Sequence, residues 1–188
     1  MQKSGLRVIS GTAKGRRLRT LPGKTTRPVT DRVKEALFDI LGGDVVRSRW
    51  WDLFGGTGAI GIEALSRGAA FVRFTEVDAG ALDVLRWNVD RCAFQAESEI
   101  VRRDVLGYLG QTPDQSFDYL YVAPPQYRGL WLNTLTQIDR QPGWLTSDGW
   151  AIVQIDPKEV APTEGLRLDL FDERRYGKTL LRFYRRPG

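Results

Sequence analysis

The sequence predicts an α/β fold, a doubly wound Rossmann-like sheet with an N-terminal basic β-hairpin appendage, and three observations lead there. Strand-like apolar runs alternate with helical stretches from Trp50 onward, the pattern of a parallel sheet covered on both faces. A glycine-rich turn, Gly55-Gly56-Thr57-Gly58-Ala59-Ile60-Gly61, directly follows the first of these runs. The first 30 residues hold eight of the 28 basic side chains and no acidic one, which leaves 20 basic and 23 acidic residues for the remainder.

At 188 residues the chain suffices for one well-buried domain with a small appendage and falls short of two catalytic domains. The expected division is a basic arm over 1–30 and the main domain over 31–188. A hydrophobic content of 41% and a charged content of 27% are ordinary for a self-folding globular chain. No stretch approaches ~18 consecutive apolar residues, and Met1-Gln2-Lys3-Ser4-Gly5 lacks the apolar segment of a signal peptide, so a cytoplasmic chain with no membrane span is expected. With one cysteine, Cys92, and no histidine, the chain has no internal disulfide and almost no ligands for a zinc site. Cys92 falls in a helical pattern as a buried structural thiol. No metal and a monomeric state are the corresponding expectations.

The arm alternates as a strand over Leu6-Arg7-Val8-Ile9, a turn from Gly11 to Gly15 and a second strand from Arg16 to Leu21, which gives the hairpin. Pro22-Gly23 and Pro28 end it. Thr30 or Asp31 can cap a helix over 31–41, whose Val33, Leu37, Ile40 and Leu41 share one face. Strands are then expected at Trp50 to Phe54, Phe71 to Val77, Ile100 to Arg102, Tyr119 to Val122 and Gly149 to Ile155. Helices are expected at Ala59 to Ser66, Ala81 to Cys92, Val105 to Leu109 and Leu130 to Asp139. Two last strands, Leu166 to Leu170 and Thr179 to Arg185, flank a polar turn at Asp172 to Lys178. Trp50, Trp51, Trp87 and Trp131 read as core or interface packing.

In such sheets ligands bind beyond the carboxyl ends of the strands, where the glycine turn falls. Gly56, Gly58 and Gly61 fit GxGxxG, in which missing side chains allow a tight turn and close approach to a ligand. Glu76 ends the next strand, placed to accept both hydroxyls of a ribose. Dinucleotide and S-adenosylmethionine sites share these features. Asp52, just before the turn beside Phe54, favours the methyl donor, because a carboxylate there suits the amino acid end of that cofactor and would repel a pyrophosphate. Asp104 ends the third strand as either an acceptor for the adenine amine or a helix N-cap.

Ala123-Pro124-Pro125-Gln126-Tyr127 follows the fourth strand. Two prolines stiffen the loop, remove two amide donors and leave carbonyl acceptors facing the cofactor, while Tyr127 can stack on a base or pack on the loop. Acceptors so placed can hold the N–H groups of a target amine and aim its lone pair at a methyl group. Lys14, Arg16, Arg17, Arg19, Arg27, Arg32 and Arg128 are the candidate phosphate contacts, the arm's charge being the footprint of a polyanion partner.

These blocks resemble the RsmD-type 16S rRNA guanine-N2 methyltransferases, within the class I S-adenosylmethionine-dependent enzymes. The likeness runs from Arg7-Val8-Ile9-Ser10-Gly11 and Lys14-Gly15-Arg16 through Thr26-Arg27-Pro28 and Asp31-Arg32-Val33-Lys34-Glu35-Ala36-Leu37-Phe38. It continues in Asp52 to Gly61 and Glu63-Ala64-Leu65-Ser66-Arg67-Gly68-Ala69, and ends at Arg174-Arg175-Tyr176-Gly177. The resemblance implies a Rossmann-like methyltransferase domain that moves a methyl group from S-adenosylmethionine to the exocyclic amine of a guanine. The substrate would be small-subunit rRNA or the assembling small ribosomal subunit. It implies cofactor contacts at Asp52, Gly56, Gly58, Glu76 and Asp104 and the target amine at Ala123 to Tyr127. The family pattern there is Asn or Asp, Pro, Pro, aromatic; this chain has Ala123 in the first slot, and Gln126 displaces the aromatic to Tyr127. Two other readings stay open: a weakened or inactive homologue serving as an RNA-binding or ribosome-assembly protein, and an amine methyltransferase acting on DNA.

Overall fold

The computed structural model describes residues 5–21 and 29–187. Helix α1 (Asp31–Leu41) begins where the Thr30 hydroxyl accepts the Val33 amide, and it buries Val33, Leu37, Phe38 and Leu41. Strand β1 (Arg49–Asp52), the glycine turn and helix α2 (Ala59–Ser66) follow, then β2 (Phe71–Thr75) and α3 (Ala79–Cys92), capped by Asp78. Next come β3 (Ser98–Val101), α4 (Val105–Leu109), β4 (Phe117–Val122), α5 (Leu130–Arg140) and β5 (Leu145–Ile155). The chain closes with β6 (Asp169–Tyr176) and β7 (Thr179–Arg185).

These strands form one seven-stranded sheet in the order β3-β2-β1-β4-β5-β7-β6. β1 to β5 are mutually parallel and β7 inserts antiparallel between β5 and β6. The order reverses between β1 and β4, so the glycine turn after β1 and the proline loop after β4 leave neighbouring strands at the same end. Strand alternation divides the core. Trp50, Phe74, Tyr119, Tyr121 and Ile152 face α1, α2 and the arm, whereas Trp51, Leu120, Val122 and Val153 face α4 and α5. Every residue of α2 is buried, and it lies close on β2 because Gly61 has no side chain; a Cβ there would sit 2.3 Å from the Phe74 ring.

Two expectations need correction. The segment Asp172 to Lys178 is largely strand: β6 runs to Tyr176 and only Gly177-Lys178 turns, because an exposed edge strand can carry the charged run Asp-Glu-Arg-Arg that reads as a turn. The arm is not a regular hairpin. Its limbs meet at a single antiparallel bridge, Arg7 to Arg17, flanked by Val8 N–H to Arg16 O and Leu18 N–H to Leu6 O. The ladder goes no further because the next donors are diverted: the amides of Ile9 and Ser10 bond the two carboxylate oxygens of Glu63 in α2, at 2.8 and 3.0 Å. Leu6, Val8, Ala13 and Leu18 join the main core.

Glu63 is fully buried and also receives Lys34 Nζ at 3.3 Å and Arg67 Nε at 3.0 Å; the same Lys34 ammonium donates to Arg7 O. Burial lowers the Lys34 pKa from its usual value, with the Glu63 carboxylate opposing that shift. Arm, α1 and α2 therefore meet on one carboxylate. Replacing it strands a buried ammonium and two backbone donors. Glu63→Ala should destabilise the protein by about 3–5 kcal/mol, against a smaller loss for Lys34→Met, as read from urea unfolding followed by tryptophan fluorescence.

Candidate active site

The carboxyl ends of β1, β2, β4 and β5 bound the site. Asp52 closes β1 at 2% exposure, and among the described residues its Oδ1 has no hydrogen-bond partner. Burial pushes its carboxyl up to about 8, with the backbone amides of Gly61 and Phe54 pulling down and the Glu76 carboxylate pushing further up. A buried acceptor left unsatisfied is costly, and it suits a cationic or hydrogen-donating group supplied from outside. Phe54, half-buried, packs towards α4 and α5.

The glycine turn bends back over this carboxyl. Gly56 and Gly58 have φ of 52° and 78°, and a Cβ on Gly58 would lie 2.5 Å from Leu85 Cδ1. Glu76 holds the turn from β2: its Oε2 accepts the Gly56 amide at 3.0 Å, and its Oε1 accepts the amides of Val77 and Asp78 at 2.8 and 2.9 Å. These three bonds leave about one of the carboxylate's roughly four acceptor positions for a ligand. Asp104 serves as the N-cap of α4, its Oδ2 accepting the Gly107 amide at 2.8 Å.

Beyond β4, Ala123 packs its methyl against the core, Pro124 is half-buried, and Pro125, Gln126, Tyr127 and Arg128 are exposed. Tyr127 has a φ of 60° and bonds to Asp156 and Glu159 in the turn after β5. Neither carboxylate stood out in the sequence, although Asp156-Pro157-Lys158-Glu159 has the spacing of a capping box and forms one.

The basic candidates do not converge on one spot. Lys14 lies in the Gly11–Gly15 turn, which sits at the last residue of α2, where Thr12 N–H donates to Ser66 O. Arg16 donates to Arg91 O near the end of α3. Arg17 is exposed, Arg19 stacks its guanidinium 3.9 Å from the Trp87 ring, and Arg32 is exposed in the first turn of α1. Arg27 lies outside the described residues. Sequence reasoning also missed Asn88, fully buried in α3. It bonds both backbone groups of Arg19 and, through Nδ2, Thr57 O in the glycine turn, tying arm to turn. A cavity of about 470 Å3 lined by Asp44, Arg47, Asp118 and Trp150 lies at the opposite, amino ends of the strands and shares no residue with this site. Among the described residues no cluster of metal-ligating side chains occurs, and no helix is long and apolar enough to cross a membrane.

Comparison with known proteins places the chain in a family and a fold. The chain matches, over residues 6–185, the family described as Conserved hypothetical protein 95. It is 32% identical to Ribosomal RNA small subunit methyltransferase D of Escherichia coli K12, covering 97% of this chain and 91% of that protein. The protein of the same name from Haemophilus influenzae is 37% identical over 130 residues, 68% of this chain and 67% of the relative. Among solved structures, yhhF from Escherichia coli superposes with a TM-score of 0.84 at 32% identity, over 96% of this chain and 97% of that one. An RNA methyltransferase from Salinibacter ruber in complex with S-adenosyl-L-homocysteine shares the fold, with a TM-score of 0.64 at 14% identity over 86% of this chain and 95% of that one.

The raised carboxyl of Asp52 makes stability pH-dependent. In the folded state it keeps its proton up to about pH 8, whereas unfolded it ionises near 3.8, so between these values the folded state binds more protons and stability falls as pH rises. Asp52→Asn should remove this decline and raise the stability of the ligand-free protein at pH 8 by a few kcal/mol, measured by urea unfolding at pH 4, 6 and 8.

Proposed function

We propose, from the premise that the chain belongs to the ribosomal RNA small subunit methyltransferase D family, that it transfers a methyl group from S-adenosylmethionine to the exocyclic N2 of a guanine in small-subunit rRNA. The observation that carries this reading is the buried Oδ1 of Asp52, without a partner among the described residues, beneath a glycine turn pinned by Glu76. These residues fit the cofactor. Asp52 would hold its ammonium, the remaining acceptor capacity of Glu76 a ribose hydroxyl, and Asp104 or the neighbouring backbone the adenine amine. Gly56 leaves open space for close approach, Gly58 makes room for Leu85 beneath the turn, and Phe54 follows the same strand end. Bound S-adenosylmethionine supplies an electrophilic methyl group.

The chain's own part is to bind, orient and desolvate. On this reading the carbonyls of the proline loop accept the N–H groups of the target amine, which turns the nitrogen lone pair towards the cofactor, and Tyr127 stacks on the base. Ala123 offers no side-chain acceptor, so the backbone and Gln126 must provide what Asn or Asp supplies in the family pattern. Without a replacement the loss is about 2–3 kcal/mol of transition-state stabilisation, roughly a hundredfold in rate. The arm's cations supply phosphate contacts.

The test is transfer of radiolabel from S-adenosylmethionine to small subunits, and to naked small-subunit rRNA, taken from cells lacking this chain. Label confined to one guanine supports the assignment. Cofactor binding without transfer would instead support a non-catalytic RNA-binding or assembly role, and label in DNA adenine would move the substrate class. Charge reversal of Arg17 and Arg19 should weaken rRNA binding by at least tenfold and lower its salt dependence by about two units of slope, with affinity for S-adenosylhomocysteine unchanged.

A further inference from the structure

Tyr127 is gripped at both ends. Its backbone N–H donates to Glu159 Oε1 at 2.7 Å and its phenol O–H donates to Asp156 Oδ2 at 3.0 Å. Both acceptors belong to one short turn after β5, which closes on itself: Asp156 Oδ1 accepts the Lys158 amide at 3.0 Å, and the Asp156 amide donates to Glu159 Oε2 at 3.3 Å. Buried Trp131 in α5 braces this turn through Nε1–H to Glu159 O at 3.1 Å. Tyr127 nevertheless stays 64% exposed as a residue, and its backbone occupies the left-handed region at φ 60°. A residue with a Cβ holds that conformation only where its surroundings enforce it. Two hydrogen bonds and a disfavoured backbone thus immobilise an aromatic ring that contributes little to the core.

Such an arrangement is of use to a ligand that stacks. Resting on the reading of the proline loop as the mouth for guanine, we infer that Asp156 and Glu159 are positioning residues: they hold the Tyr127 ring as a fixed stacking face for the extruded base. Asp156 fixes the tip of the ring and Glu159 its root, so the ring is oriented before RNA arrives and the base meets no rotamer search. Both carboxylates act through Tyr127 and neither touches the reacting nitrogen.

The experiment measures the affinity of the full chain for a fluorescein-labelled single-stranded RNA hexamer containing one guanine, and for the same hexamer with that base removed, at constant salt. The ratio of the two affinities isolates stacking from phosphate attraction. Tyr127→Ala should reduce the ratio by about 5- to 100-fold, the range for loss of one base–aromatic stack. Tyr127→Phe and Asp156→Ala should each reduce it by roughly 3- to 10-fold, and the double variant should be no worse than the poorer single one, because both remove the same bond. Glu159→Gln keeps an acceptor for the Tyr127 amide while losing the one for the Asp156 amide, so it should bind closer to the parent than Glu159→Ala does. Additive losses in the double variant, or an unchanged ratio for Asp156→Ala in a chain with unaltered thermal unfolding, overturn the inference. A parent chain that binds base-bearing RNA preferentially without methylating it would defeat the proposed activity while leaving this cycle to decide the clamp.

Discussion

One buried carboxylate organises this molecule. Glu63 takes hydrogen bonds from two successive backbone amides of the arm, from the Lys34 ammonium of α1 and from the Arg67 guanidinium of its own helix. An ionised group in such a place costs several kcal/mol to desolvate, and the cost is offset only when nearly every acceptor position is filled. Glu63 meets that condition. The consequence is geometric: α2 begins at the glycine turn, so whatever is fixed to α2 is fixed relative to the strand ends. Asn88 repeats the connection one helix further on, joining Arg19 directly to Thr57.

Asp52 is the opposite case. It sits on the strand that leads into the glycine turn, is almost as deeply buried, and among the described residues keeps an oxygen without a partner. The fold therefore treats these two buried carboxylates differently, one saturated from within and one with an acceptor oxygen left open. Raising the Asp52 carboxyl to about 8 limits the cost of burying it, since a protonated acid is easier to bury than an anion. A cation entering beside it would displace the proton and restore the anion.

Most of the sheet was legible from the sequence because its strands and helices are short, regular and strongly patterned. Helix α1 matches its expected limits because Thr30 caps it and Val33, Leu37 and Leu41 fall on one face. Asp52, the glycines and Glu76 were legible as a group, since their spacing follows from strand-turn-helix geometry. What escaped was whatever depends on long-range pairing. A lysine inside an otherwise amphipathic helix, Lys34, looks like solvated surface until Glu63 is seen 3.3 Å away. The arm looked like a hairpin because alternation predicts where side chains point and says nothing of amides captured by another element. Asp156 and Glu159 belong to a different strand end from the loop they brace, and no local pattern in Ala123 to Tyr127 announces them.

The arm's placement also constrains what kind of polyanion would suit it. Its turn lies at the carboxyl end of α2, roughly 12 Å of helix away from the glycine turn, while Arg19 lies level with that turn through Asn88. Lys14 and Arg16 thus mark one end of a track, and Arg19 with Trp87 marks a point nearer the mouth. For the whole track to be engaged, the partner must extend along the flank of α2 and α3 while one of its bases enters at the proline loop. A nucleic-acid strand of a few nucleotides has that extent, and its phosphates repeat closely enough to meet cations spaced over roughly 12 Å. On the proposed reading the arm's cations meet phosphates along this flank, and the proline loop takes the base.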